Sequence, residues 1–450
     1  MRHIHIKDEY PKFFGHIVVN AAKEKIISGM TKFQIATKPG HRVQEHIFVI
    51  KSVIGLSYLM DRAVILQFWD LKKFFDSKNL RDCMNELYRS GIRGKLYRLL
   101  FQLNKNTKFK VVTPVGCTET RDRGEGLGQG TLEGALISAL SLDSGINDFF
   151  KNSEDEASYE DVRLQLLLFQ DDVARVSFSM DAAQNGNCKM ENVAETKLLA
   201  YNVEKSGFLL AGPNKTRKVM HKELERKPLT PRGSITKREN NMKYLGDWIS
   251  ENGLAESAEL TVRRRKGSAT VTIYEIRSMV EDCRSLVCGG ISAGLDVWEM
   301  AVVPKLLFNS DCWLEMNQST LQDLENIEIK FYRTILAVGK GCPIPVLYWE
   351  TGGLLMKYRV LKKKLLFLHH LTILPENSLA AEVFRVQERL KLPGLAREYE
   401  DFLIRFRITN IASYTPLQWK YFVRRQISQM NQEGILQKMQ GYKKNQLQGV

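Results

Sequence analysis

The chain has 450 residues, 44% hydrophobic and 26% charged, with a formal net charge of +15. This composition excludes a disordered or fibrous protein, allows two or three domains with substantial cores, and favours a polyanionic partner, nucleic acid before an anionic membrane surface. No apolar run approaches a membrane span, the charged start is not a secretory signal, and seven scattered cysteines with no Cys-x-x-Cys pair argue for reduced thiols inside a cell and against structural zinc.

In chain order, FFGHIVVNAAKEKIISGM predicts an amphipathic helix, Pro39 and Gly40 a loop, and VQEHIFVIKSVIGL (43–56) a second helix. The apolar run AVILQFWDL (63–71) predicts a buried strand that leaves Asp70 at its end, where a carboxylate is costly unless it binds something or reaches solvent. KKFFDSKNLRDCMNELYRSGI reads as a turn into an amphipathic helix stopping at Gly91, LYRLLFQLN as a further helix, and KFKVVTPV (108–115) as a strand. Glycines 124, 126, 128, 130 and 134 then lead into a strongly apolar helix. Such a loop lets backbone approach a ligand, but it lacks the Gly-Lys-Ser/Thr of a Walker loop, and a flexible surface loop is equally compatible.

After an acidic, exposed segment (151–161), LLLFQDDVAR (166–175) predicts two short strands joined by a tight turn with Asp171 and Asp172 at its tip. Carboxylates suit a hard divalent cation, although Asp-Asp in a turn is by itself ordinary solvated turn chemistry. A helix with Met190, Val193, Ala194, Leu198 and Tyr201 at helical spacing is expected to end near Gly207. LAGPNKTRKVM (210–220) reads as a turn into a short strand, 221–241 as a loop, and NMKYLGDWIS (241–250) as one strand with Gly246 inside. Helix follows helix beyond 250, with basic runs at RRRK (263–266) and YRVLKKKLLFLHHL (358–371) and a last helix from about 396. Basic runs of this kind are solvated faces or supports for a nucleic-acid backbone.

Two acid-bearing strand ends with a Gly-Gln-Gly loop between them resemble the reverse transcriptases, most closely those of non-LTR (LINE-like) retrotransposons. FWDLKKFFDS (68–77), GLGQGT (126–131), FQDD (169–172), GFLLAGPNKT (207–216) and KYLGDWI (243–249) are similar to five successive palm motifs of that family. The resemblance implies an α+β fold: partial fingers over 1–56, a palm of small antiparallel sheet backed by helices over 57–250, an all-α thumb over 251–340, and a C-terminal helical extension and tail over 341–450. It implies two-metal nucleotidyl transfer with Mg²⁺, or Mn²⁺ as substitute, on an RNA template, a DNA primer and deoxynucleoside triphosphates. Asp70 and Asp171 would bridge the metals with the carbonyl of Leu71, and Asp172 would matter less. Phe75 would exclude a ribose 2′ hydroxyl, Gly128, Gln129 and Gly130 would shape the nucleotide and template floor, Lys215 would protonate pyrophosphate, and Tyr244, Leu245 and Gly246 would form a primer grip. Gly134 and Ala135 stand where Ser-Pro is usual, and Gln170 is uncommon between the aromatic and the acids. With its short fingers the chain looks like a fragment of a retrotransposon polyprotein, or one domesticated from it, nuclear by resemblance. The competing expectation is a catalytically inactive nucleic-acid-binding remnant.

Overall fold

The computed structural model describes residues 9–105, 107–122, 126–150, 157–164, 166–230, 236–283, 290–392 and 394–447. The fold is mixed α+β, mostly helical, with small antiparallel sheets. Its chain divides into two compact units, the first comprising Met1–His46, Leu56–Met242 and Asn377–Leu379, the second Ile47–Gly55, Lys243–Glu376 and Ala380–Val450. No helix among the described residues is long and apolar enough to cross a membrane.

The first unit opens with α1 (Glu9–Ser28) and the start of α2 (Val43–Leu59), then enters β1 (Val64–Trp69) and the short β2 (Leu71–Lys72). All six β1 residues are buried, which is why the strand reads as an unbroken apolar run rather than an alternating one. Helix α3 (Leu80–Arg89) is capped by the Asn79 side chain, which accepts from the Asp82 N–H, and α4 (Gly94–Asn104) follows after Gly91. The segment expected to be one strand at 108–115 is instead broken into two-residue pieces. β3 (Lys108–Phe109) pairs with β6 (Arg121–Asp122), and β4 (Val112–Thr113) with β5 (Gly116–Cys117). Helix α5 (Leu132–Phe150) packs with α1, α3 and α4 around Val19, Ile26, Met84, Leu87, Leu100 and Leu140.

A hairpin of β7 (Ala157–Tyr159) and β8 (Val162–Leu164) buries Ala157 and Tyr159, so this end of the acidic segment is not wholly exposed; 151–156 lie outside the described residues. Then come β9 (Leu167–Phe169) and β10 (Asp172–Ser177), the two strands expected around the acid pair. Helix α6 (Met180–Thr196) ends earlier than its apolar spacing suggested. Leu198 takes a left-handed φ of 53°, and Tyr201 lies in β11 (Ala200–Tyr201), which pairs with β2. β12 (Gly207–Ala211) completes a sheet of order β12-β1-β10-β9. The stretch after it is a helix, α7 (Asn214–Arg226), not the strand and loop expected. Pro213 caps it with extended backbone, and its few apolar residues suffice for a helix that buries only Leu224 and Arg217.

One sheet face carries Ile65, Gln67 and Trp69 opposite Ser177, Arg175 and Val173, and α6 closes it. The three buried polar residues there are satisfied: Gln67 Nε2 donates to Ala183 O and Asn187 Oδ1, Arg175 Nη1 to Ala182 O, and Ser177 Oγ to Gln67 Oε1.

In the second unit, 241–250 is not one strand but a hairpin of β13 (Asn241–Tyr244), which begins in the first unit, and β14 (Asp247–Ser250). Leu245 and Gly246 both have positive φ, 44° and 83°, as a type I′ turn requires. Asn309 Nδ2 donates to Leu245 O at 3.0 Å and Arg265 Nη2 to Gly246 O at 2.6 Å, which holds the strained turn. Beneath it Asp247 is fully buried against Lys51 at 2.6 Å, Trp313 Nε1 at 3.3 Å and Arg265 at 3.6 Å.

The remaining helices are α8 (Leu254–Cys283), α9 (Gly290–Val297), α10 (Val303–Leu306), α11 (Gln318–Leu336), α12 (Ile344–Thr351), α13 (Met356–Ile373), α14 (Leu379–Leu390), α15 (Leu395–Arg405) and α16 (Pro416–Leu447). The last expected helix is thus two, broken before Pro416. Trp298 stacks on Phe331 at 4.2 Å in a core shared by α8, α11, α12 and α13. Within it burial pushes the Glu328 carboxyl up to about 7, against Arg359 and the hydroxyls of Tyr348 and Tyr332.

Removing one member of a buried ion pair strands the other. Asp247→Ala is expected to cost about 3–5 kcal/mol in chemical denaturation; a loss under about 1 kcal/mol would mean that Lys51 finds water instead.

Candidate functional site

Pairing of β1 with β10 runs Ile65↔Ser177 to Trp69↔Val173, and β10 pairs with β9 at Asp172↔Phe169. Continued one step, that register sets Asp70 beside Asp172, with Asp171 in the turn at the same end of the sheet. All three acids are partly exposed. The backbone of Asp70 is fixed on both sides, its N–H donating to Ser206 Oγ at 3.0 Å and its carbonyl accepting from Asn202 N–H at 2.9 Å. Leu71 follows in β2 with its side chain buried.

The turn itself depends on Gln170, whose φ of 59° is left-handed. Its N–H donates to Oε1 of the fully buried Gln34 at 3.2 Å, and its Nε2 donates to Ala135 O at 3.2 Å, in the first turn of α5. Residues 33–35 also exchange backbone bonds with Leu168. An amide at 170 is therefore what links the acidic turn to the helix that follows the glycine loop.

That loop is folded onto the segment after Asp70. Gly126 N–H donates to Lys78 O and Leu127 N–H to Phe75 O, at 2.9 and 2.8 Å. With φ +89°, Gly126 lies so close that a Cβ would sit 2.7 Å from Asp76 O. Thr131 caps α5, its Oγ1 accepting from Gly134 N–H and donating to Gly128 O. A Cβ at Gly134 would meet Gly128 O at 2.3 Å, so the departure from Ser-Pro at 134–135 is built into this loop rather than being a defect of it. Gln129 is half-buried and Gly130, at φ +94°, exposed. Phe75 is half-buried, edge-on to Phe74 at 5.4 Å.

The structure thus gathers Asp70, Asp171, Asp172, Phe75 and the 126–130 loop in one unit. Lys215 is exposed in the first turn of α7, and among the described residues no hydrogen bond ties it to the acids. Tyr244, Leu245 and Gly246 form the hairpin described above. Sequence reasoning missed Gln34 and Lys78. Lys78 is only 1% exposed, its Nζ 4.3 Å from the Phe74 ring centre and 3.4 Å from Ser141 Oγ. Burial lowers its pKa to about 8, aided by Lys197 and opposed by Cys83, Asp82 and Asp171. Its only sequence signal is its place just before the Asn79 cap.

Among the described residues no three His, Cys, Asp or Glu side chains gather as a metal cluster. The donors at this sheet end are carboxylate and carbonyl oxygens, a set that suits Mg²⁺, which commonly takes one or two carboxylates and leaves other positions to water and phosphate.

No protein-family model matches the chain, and no curated protein does. Solved structures similar to it include Candida tropicalis telomerase in complex with a TWJ fragment of telomeric RNA (TM-score 0.41, 11% identity, 92% of this chain and 57% of that one). The apo telomerase of the same organism has TM-score 0.38 and 11% identity, over 82% of this chain and 61% of that one. Candida albicans telomerase with the TWJ fragment has TM-score 0.35 and 10% identity, over 83% and 56%. This chain therefore spans less than two thirds of their length, and a likeness so shallow carries no functional argument.

Two outcomes follow. Gly134→Ala should destabilise the chain by about 1–3 kcal/mol through overpacking against Gly128, read by urea unfolding; an unchanged midpoint would show that the loop yields. Because the folded pKa of Lys78 lies below its unfolded value, its buried charge opposes folding fully below pH 8 and progressively less up to 10.5. Lys78→Met should accordingly stabilise the protein at pH 7, with the gain shrinking as pH rises; a gain independent of pH would refute this.

Proposed function

We propose that the chain is an RNA-directed DNA polymerase domain related to those of LINE-like retrotransposons, extending a DNA primer on an RNA template with deoxynucleoside triphosphates. The reading is carried by the β1–β10 register, which brings a carboxylate from early in the chain to the same sheet end as a later acidic turn. Mg²⁺ or Mn²⁺, when bound, would supply the charge that activates the primer hydroxyl and stabilises the leaving pyrophosphate. Asp70 and Asp171 would hold it with the Leu71 carbonyl, and Asp172, next to Asp70 by register, would join or orient them.

The chain's own residues do the rest by position. Phe75, fixed through its backbone to the glycine loop, would meet a ribose 2′ hydroxyl and favour deoxynucleotides. Gly128, Gln129 and Gly130 would shape the floor for the incoming nucleotide and the template base. Lys215, exposed in the first turn of α7, would protonate pyrophosphate, while Tyr244, Leu245 and Gly246 would steady the primer end. A second reading, a nucleic-acid-binding remnant without catalysis, is favoured by the lack of a three-ligand cluster among the described residues.

Primer extension on an RNA template decides between them. Extension should occur with divalent cation and fall by at least about 10³-fold in Asp70→Ala and Asp171→Ala, the scale of a lost electrostatic contact in such chemistry. Asp172→Asn should be milder, and Phe75→Ala should admit ribonucleotides. Binding without extension would favour the remnant.

A further inference from the structure

Helices α13 and α16 pack together in the second unit, and their charges fall into two groups. The sequence of α13, MKYRVLKKKLLFLHHLTI, has five Lys or Arg and no acid. Two of these cations are neutralised: Arg359 pairs with Glu299 and Glu328, and Lys364 with Glu398. Lys362 is not. The charges acting on it are Arg424, Arg359 and Lys420, all repulsive, and Glu299, whose carboxylate already holds Arg359. Lys420 and Arg424 lie on α16, one turn apart, exposed and without a carboxylate partner among the described residues. No acid occurs on α16 before Glu433.

An exposed aromatic ring accompanies them. Tyr421 is 62% exposed, three residues before Arg424 and so on its face of the helix. The side of the helix next to them is committed: Trp419, Val423 and Ile427 are buried, Trp419 Nε1 donates to Leu365 O at 2.8 Å, and Asn431 bonds Leu355 N–H and Gly353 O. Among the described residues, the large apolar side chains exposed on α16 are Leu417, Tyr421 and Leu436, two neighbours and one distant residue rather than the continuous apolar face that an interfacial helix lays into lipid. Clustered cations held against their own repulsion, beside an exposed ring, match a strand of phosphates carrying bases that stack.

We propose that the face formed by Lys362, Lys420, Arg424 and Tyr421 binds a single-stranded nucleic acid, the cations on phosphates and Tyr421 under a base. The inference does not rest on the polymerase reading, since none of these residues belongs to the acid site.

Fluorescence anisotropy on the full chain tests it, with a short labelled RNA of mixed sequence, the same DNA, and the DNA duplex. EDTA keeps any metal-dependent chemistry silent, so the outcome is separable from that of primer extension. K420Q/R424Q should weaken single-strand binding and reduce the slope of log K against log salt by about 0.7 per cation, while K391Q/R397Q, the same charge change elsewhere in the unit, should do neither. Y421A should weaken binding roughly five- to a hundredfold. Because the substitutions relieve repulsion, the unfolding midpoint of K420Q/R424Q should hold or rise; were it to fall, the single R424Q is read for half the slope change. Equal RNA and DNA affinities support phosphate-and-stacking recognition, and a preference for either identifies the natural strand. The proposal is overturned if K420Q/R424Q behaves like the control pair, if duplex binds as well as single strand and Y421A is silent, or if anionic vesicles bind and nucleic acid does not.

Discussion

The pairing of β1 with β10 is the constraint on which the candidate site depends. Side chains alternate faces along a strand, so a slip of one residue would turn the Asp70 side chain to the other face from that of Asp172 and invert every buried side chain of β1. Apolar burial alone defines register weakly here, because both faces of β1 are covered and nearly any offset buries something apolar. Gln67 and Arg175, opposite each other on the face closed by α6, remove that ambiguity. Each reaches a specific carbonyl on α6, and any other offset would leave an amide and a guanidinium buried without partners. Polar side chains thus do for register what the apolar ones cannot.

A second layer of bonds fixes what register has brought together. Gln34, from the stretch before α2, holds the turn from one side, and Gln170 reaches to α5 on the other. The glycine loop is tied to the backbone of Phe75 and Lys78. These contacts are mostly backbone bonds, so the loop's shape needs small residues more than particular side chains, and Gly134 belongs to that requirement. Lys78 places a buried cation in the field of Asp171.

Much of this was legible in the sequence, for reasons that also explain the misses. The strand at 64–69 and the hairpin around Asp171 announce themselves through β-branched and aromatic runs of strand length, and α3 through its cap and period. The hairpin at 241–250 was hidden because Leu245 occupies a left-handed position where Asn or Asp usually signals the turn. Helix α7 was hidden because it buries little, so it shows almost no apolar period. α6 was overextended because Leu198 and Tyr201 continue its spacing by coincidence after the backbone has left the helix. Gln34 and Lys78 owe their importance to partners a hundred residues or so away in sequence, which no local pattern encodes.

The ion pair under the second hairpin has a bearing on how the chain is made. Lys51 and Asp247 are separated by 196 positions, and Lys51 sits in the part of α2 that belongs with the later unit. As the nascent polypeptide leaves the ribosome, that helix emerges with its cation long before the matching anion exists, and domains otherwise tend to mature from the N-terminus onward. The second unit therefore cannot close until translation has passed the hairpin, and a piece expressed from residue 243 onward would bring the carboxylate with Arg265 but without Lys51.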